Sequence, residues 1–280
     1  MTATAKNSNS VPRRTSAAPA SEREFRLDGK TAVITGAGSG IGRAIAMKFA
    51  KNGAAVHILD LSQNAAEAVA AEITKSGGAA SAHICDVGKQ AQVVSTINQI
   101  AGQHPIEILV NNAGISQVGN VESTSEADFD RIMVINVKGY YNCIYACVPH
   151  MKASGGGVIL SMASVAGSRG LADRFGYSTS KGAVIAMTYS VARDYIAHNI
   201  RCNCVSPARV HTPFVDSYLR KTYPGREQEM YDRLAKTQPI GRMGEPHEVA
   251  SLALFLCSDA AAFITGVDYP LDGGFMNLHG

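Results

Sequence analysis

From residue 30 onward, the apolar positions fall into two alternating patterns. Short, nearly unbroken apolar runs read as strands buried on both faces: Thr31–Thr35, Ala55–Leu59, Ala82–Cys85, Ile108–Val110, Gly157–Leu160, Ile200–Val205 and Val267–Leu271. The first six are separated by longer stretches with helical spacing: Ile41–Asn52, Gln63–Lys75, Lys89–Gln103, Glu126–Lys152 and Tyr177–Ala197. Strand and helix in regular alternation predict parallel βαβ units, hence an α/β chain with a doubly wound parallel sheet of about seven strands and helices on both faces. Neither a repeat nor a linker interrupts this order, so one domain is expected over residues 25–280. Residues 1–24 are rich in Ala, Ser, Thr and Asn. Such a segment buries too little apolar surface to offset its ordering entropy, and a disordered extension is expected. A transit peptide is the alternative, against which stands the weak amphipathic pattern.

Composition narrows the function classes. With 280 residues, 46% hydrophobic and 18% charged, the chain can bury a sizeable core, while a net charge of +3 gives no argument for nucleic acid or a membrane surface. No apolar run reaches the length of a membrane span and the N-terminus lacks the apolar centre of a signal peptide, so the expected location is cytoplasmic and the expected partner a small-molecule substrate. Six cysteines (Cys85, Cys143, Cys147, Cys202, Cys204, Cys257) form no CxxC pair and have no histidines spaced to complete a zinc site. They read as buried free thiols, and no metal is expected.

Two stretches carry candidate chemistry. Thr35-Gly36-Ala37-Gly38-Ser39-Gly40-Ile41-Gly42 follows the first strand and opens the first helix. Its glycines allow a sharp turn and close approach to a pyrophosphate, and the helix N-terminus supplies free N–H donors. Asp60 ends the second strand, where a carboxylate can accept from both adenosine ribose hydroxyls and repels a 2′-phosphate. NAD is therefore expected over NADP; the competing reading is that Asp60 only caps the next helix. The second stretch is Tyr177-Ser178-Thr179-Ser180-Lys181, which on a helix puts phenol and ammonium on one face. A tyrosine ordinarily ionises near pH ~10, and an adjacent cation favours the phenolate, making the pair a proton-transfer device for an alcohol and its ketone. Taken alone, the spacing equally fits a chance pairing on an exposed helix. Ser164, Asn136 and the glycine turn decide for chemistry.

Together these residues resemble the short-chain dehydrogenase/reductase family over residues 27–275. The turn matches the family's TGxxxGxG pattern, Asn111-Asn112-Ala113-Gly114 its NNAG signature, and Asp272-Gly273-Gly274 its C-terminal DGG. Asn136, Ser164, Tyr177 and Lys181 match its catalytic tetrad. The resemblance implies a Rossmann-type fold. It makes Tyr177 the proton-exchanging group, Ser164 the hydrogen-bond donor to the substrate oxygen, and Lys181 the cation that lowers the tyrosine pKa and binds the nicotinamide ribose. Asn136 would hold a water linking Lys181 to solvent. It also implies cofactor contacts from Gly36, Ser39, Gly40, Ile41 and Gly42, from Asp60, Asp86 and Val87 on the adenosine side, and from Asn112 and Gly114. Val210 and Thr212, in Ser206–Pro213, would hold the carboxamide; Ala208 there replaces the usual glycine. The C-terminal end packs against a neighbouring subunit in relatives, which implies a homotetramer.

For the substrate, Arg174 lies one helical turn before Tyr177, and its fork suits a carboxylate. A structural ion pair, such as one to Asp173, is the equal alternative. Arg209 is a second candidate, and the polar stretch Phe214–Gln238 reads as a lid. The resemblance is closest to the branch containing 3-hydroxybutyrate and 2-keto-3-deoxy sugar-acid dehydrogenases. The expected activity is NAD-dependent oxidation of a secondary alcohol in a small hydroxy acid. A deoxy-keto sugar acid of fuconate or rhamnonate type comes first, 3-hydroxybutyrate second, and a neutral polyol or sugar third. A non-catalytic NAD-binding regulator is the reading from a different class; it has no need of an intact Ser-Tyr-Lys set.

Overall fold

Seven parallel strands lie in the order β3-β2-β1-β4-β5-β6-β7 in the computed structural model, which describes residues 25–278. The extension expected over residues 1–24 lies outside the described residues. The strands are β1 Thr31–Thr35, β2 Ala55–Asp60, β3 Ala79–Ile84, β4 Ile108–Asn111, β5 Gly157–Met162, β6 Ile200–Pro207 and β7 Asp268–Leu271. Alternate residues of each strand feed opposite faces. In β1, Ala32 and Ile34 pack with Phe49 of α1 (Gly40–Lys51), Val69 of α2 (Gln63–Lys75) and Leu254 near the end of the chain. Val33 between them packs on the other face with Ile97 of α3 (Gln90–Ala101) and with Cys143 and Met151. Helices on both faces make the sheet Rossmann-like, and the apolar runs of the inner strands are continuous because those strands are buried on both faces.

Four departures from the apolar pattern have physical reasons. Strand β3 starts three residues early and stops before Cys85, because its register is set along all of β2, from Ala55 against Ala79 to Asp60 against Ile84. As an edge strand it has small and polar residues and does not read as an apolar run. The single helix expected over Glu126–Lys152 is α4 (Glu126–Met133), a π-helical turn (Val134–Lys138) and α5 (Gly139–Ala153). The helix carrying the tyrosine, α6 (Phe175–Tyr195), begins two residues before Tyr177, so that tyrosine sits in its first turn. Finally, α9 (Pro246–Cys257) had no counterpart in the pattern. Its buried face of Val249, Ala250, Ala253, Leu254, Leu256 and Cys257 is joined by the partly buried Leu252 and Phe255, so apolar residues run nearly all round the helix and blur the amphipathic periodicity. The polar lid folds as α7 (Pro213–Thr222) and α8 (Glu227–Ala235). No helix among the described residues is long and apolar enough to cross a membrane.

The order reverses at β1 and β4, the topological switch point at which doubly wound sheets open a crevice beyond their carboxyl ends. The functional candidates named above border that crevice or its side cavity, except Gly42, Val210, Asn136 and Ser164.

Candidate active site

The glycine turn forms because its backbone leaves the region open to other residues. Gly36 and Gly40 have φ of 62° and 54°, and a Cβ on Gly42 would come within 2.3 Å of the Gly36 carbonyl oxygen. The N-terminus of α1 that follows is open: Ser39, at the N-cap, makes no side-chain cap bond and the first turn holds no acidic residue. Its orphan N–H groups and positive dipole end thus remain available to an anion. Asn112 braces the turn, donating through Nδ2 to the carbonyls of Thr35 (3.0 Å) and Gly36 (3.1 Å). The cleft above has a volume of about 420 Å³, and its walls include Gly36, Ser39, Gly40, Ile41, Asp60, Asp86, Val87, Asn112, Gly114, Tyr177, Lys181 and Thr212. Gly42 instead lies packed under the turn, and the Val210 side chain is 7% exposed within the core.

Asp60 unites the two readings given for it. Its Oδ2 accepts from the Gly38 N–H (2.9 Å) and its Oδ1 from the Ser62 N–H (3.0 Å), so it fixes both the glycine turn and the entry to α2. It also borders the cleft, with lone pairs left for hydroxyl donors. Asp86 is held by the Gly88 N–H (3.0 Å).

At the other end of the cleft the tetrad converges. Ser164 ends the loop after β5, its Oγ accepting from the Ala166 N–H (3.2 Å) and donating to the Pro207 carbonyl (3.4 Å). Burial raises the Tyr177 phenol above its ordinary 10, while the Ser164 hydrogen bond and the Arg174 charge pull it back. Lys181 is 4% exposed, and its Nζ donates to the Met162 carbonyl (2.6 Å), 5.8 Å from the centre of the Tyr177 ring. Burial pushes that ammonium down from 10.5 to about 8. Asn136 occupies the middle of the π turn. Its Oδ1 accepts from Ile115 N (2.9 Å), and its Nδ2 donates to Ile115 O (2.9 Å) and Ser180 Oγ (3.0 Å). The side chain is thereby committed to protein partners. A water held by Asn136 would therefore have to be held by its main-chain carbonyl.

Beside the cleft, sharing Ser116 and Phe214 with it, lies a cavity of about 210 Å³ bordered by Gln117, Arg174, Arg209, Tyr218, Leu234 and Met243. The ion pair to Asp173 considered for Arg174 is absent: among the described residues no carboxylate stands within 4.0 Å of Arg174 or of Arg209. Arg174 Nη1 donates weakly to the Gln117 carbonyl (3.4 Å), and Arg209 Nε to Thr237 Oγ1 (3.1 Å). Burial and then the Arg174 charge lower the Arg209 pKa. Gln117, Leu234 and Met243 carried no sequence signal, since they reach the cavity from a loop, the lid and the strap before α9. The six cysteines are all buried and free.

A dinucleotide-sized cleft at the switch point, ending on a Ser-Tyr-Lys set, defines an oxidoreductase that uses a nicotinamide nucleotide. The family model described as enoyl-(acyl carrier protein) reductase matches residues 36–276. The chain is 38% identical over 253 residues to D-threitol dehydrogenase of Mycolicibacterium smegmatis, covering 90% of this chain and 95% of the relative. It is 36% identical over 253 residues to 2-keto-3-deoxy-L-fuconate dehydrogenase of Xanthomonas campestris pv. campestris, covering 90% and 82%. Among solved structures, L-sorbose reductase of Gluconobacter frateurii, complexed with NADPH and L-sorbose, superposes with a TM-score of 0.87 at 29% identity, covering 91% of this chain and all of that one. The chain belongs to the short-chain dehydrogenase/reductase family.

Proposed function

We propose that the chain is an NAD-dependent dehydrogenase that oxidises a secondary alcohol of a small hydroxy acid, gripping the carboxylate with Arg174 and Arg209. The observation that carries this reading is the pair of unneutralised guanidiniums on one cavity beside Tyr177. The Arg174 charge adds to burial in lowering the Arg209 pKa, an anion between the two relieves that cost, and the arginine fork matches a carboxylate bidentately. A 2-keto-3-deoxy sugar acid fits best, in line with the Xanthomonas relative and the polar lid; 3-hydroxybutyrate is the smaller alternative. The Mycolicibacterium relative favours a second reading, a neutral polyol.

In this proposal the bound cofactor supplies hydride exchange with the carbinol carbon. Tyr177 exchanges the hydroxyl proton, and Ser164 donates to the same oxygen as charge develops. Lys181 supplies positive charge beneath the phenol and reaches the ribose, and Asn136 holds the relay water through its backbone. A non-catalytic regulator has no use for this set.

The deciding experiment follows NADH appearance with a panel of hydroxy acids, sugar acids and neutral polyols, for wild type and Arg174→Ala. Acids alone are expected to react, with kcat/KM falling about 10-fold or more in Arg174→Ala, about 1.4 kcal/mol of transition-state binding. Equal turnover of neutral alcohols with an indifferent Arg174→Ala would move the assignment to the polyol.

The preference for NAD rests on Asp60, although the Gluconobacter structure holds NADPH. In Asp60→Ala the NAD/NADP ratio of kcat/KM is expected to fall by about 10-fold or more, the loss of a ribose hydrogen bond and of repulsion toward a 2′-phosphate. An unchanged ratio removes the ribose contact. We further propose a homotetramer with a cytoplasmic location, resting on the resemblance at the Asp272-Gly273-Gly274 end; sedimentation at micromolar concentration checks the former, and a monomer would refute it.

A further inference from the structure

We propose that His211 is the positioning residue of the lid, the side chain that ties both lid helices to residues 208–212, the segment leading to Thr212 at the cofactor cleft. That segment is fixed to the strap before α9: His211 N donates to the Gly244 carbonyl (2.8 Å), and Gly244 N donates to the Arg209 carbonyl (2.9 Å). From that fixed point the imidazole reaches three separate elements. Its Nε2 donates to Asp216 Oδ1 at 2.8 Å, in the first turn of α7. A carboxylate can only accept, so Nε2 carries the hydrogen. Its ring meets Tyr231 of α8 edge-on, with centroids 5.0 Å apart and planes at 73°. Its Nδ1 lies 4.0 Å from Glu245 Oε1, at the N-cap of α9.

The lid has little else to hold it. Helix α7 buries only Leu219, and α8 only Met230 and Ala235. A segment with so few buried apolar contacts opens at low free-energy cost, so a hydrogen bond and an aromatic contact at one pivot form a large share of what keeps it shut. The pivot's neighbours face the chemistry: Arg209 and the lid's Phe214 and Tyr218 border the side cavity, and Thr212 borders the cleft. Loosening His211 would therefore displace cavity walls while leaving Ser164, Tyr177 and Lys181 in place, raising KM more than it lowers kcat. The kinetic part of this inference rests on the side cavity being the substrate site; the structural part does not.

The test is hydrogen exchange by mass spectrometry on full-length His211→Ala, Asp216→Ala and the double variant at one fixed pH, with Michaelis kinetics in parallel. Exchange across residues 213–235 is expected to speed up by about 10-fold in His211→Ala while amides of β1, β4 and β5 hold their protection. The double variant is expected to match His211→Ala, which already removes the bond to Asp216, whereas Asp216→Ala alone should speed exchange less because it leaves the Tyr231 contact in place. KM should rise about 10-fold with kcat changed by no more than about 3-fold, and His211→Gln, which keeps an N–H donor, should recover part of the loss. Unchanged lid exchange, or a rise spread evenly over the sheet, overturns the proposal. Exchange localised to the lid without the KM change keeps the latch and instead displaces the substrate site from this cavity.

Discussion

Tyr177→Phe is expected to lower kcat by about 10³-fold, roughly 4 kcal/mol, while the affinity for NADH stays within about 2-fold of wild type. Only the phenolic oxygen is lost, so the ring keeps its place in the first turn of α6 and the cleft keeps its wall. The expectation is specific to a proton-exchanging role. Burial alone would hold the phenol protonated, and what opposes burial comes from Ser164 and Arg174. Ser164→Ala should therefore reproduce much of the loss, and Arg174→Ala should shift the acidic, rising limb of the kcat profile for alcohol oxidation to higher pH as well as weaken acid binding. Fluorescence titration with NADH and steady-state turnover, measured on the same preparations, separate the two effects. Retained turnover in Tyr177→Phe would exclude the tyrosine as the proton-exchanging group.

Much of this site was legible in the chain because its parts obey short-range rules. The glycine turn needs positive φ at Gly36 and Gly40 and no side chain at Gly42, and only glycine meets those demands. Tyr177 and Lys181 share a helix face by spacing alone. The strands read easily where both faces are buried, as in β1, and poorly where one edge is solvated, as in β3. What escaped was set by partners distant in sequence. The π turn at Val134–Lys138 has no compositional mark; it accompanies Asn136 bonding to both backbone groups of Ile115, 21 residues earlier. Helix α9 hid because apolar residues lie nearly all round it, Leu252 and Phe255 beside its buried face, which blurs periodicity. The state of Arg174, paired or free, could not follow from Asp173 being adjacent, since it depends on where the loop through Gly119 is bridged to it. Fold and chemistry are thus local in their signals, whereas the walls of the substrate cavity are assembled from loop, lid and strap.

Lys181→Met is expected to abolish most activity and yet stabilise the fold near neutral pH. The ammonium is buried, and burial lowers its pKa from 10.5 to about 8. Between those values the unfolded chain binds more protons than the folded one, so wild-type stability rises with pH across the window, and the cost of the buried charge is fully present below pH 8. At about 1.4 kcal/mol per pH unit that cost is about 3 kcal/mol. Methionine fills similar space without charge but leaves the Met162 carbonyl with only the Tyr140 hydroxyl, at 3.0 Å, as its side-chain donor. Losing that charged hydrogen bond costs about 1–2 kcal/mol, which leaves a net gain of about 1–2 kcal/mol and a Tm higher by roughly 2–6 °C. The gap between variant and wild type should narrow as pH rises above 8, when the wild-type amine enters its neutral form. Turnover should fall by about 10²-fold or more, because the group proposed to hold the nicotinamide ribose and to pass on the proton taken by Tyr177 is gone. Thermal unfolding from pH 6.5 to 10 beside steady-state rates checks both halves. A Tm that drops at every pH would mean that the ammonium stabilises the fold through its bond to Met162 and is not held there at a cost. A Tm that rises while activity falls would show a site that keeps a destabilising charge for its chemistry.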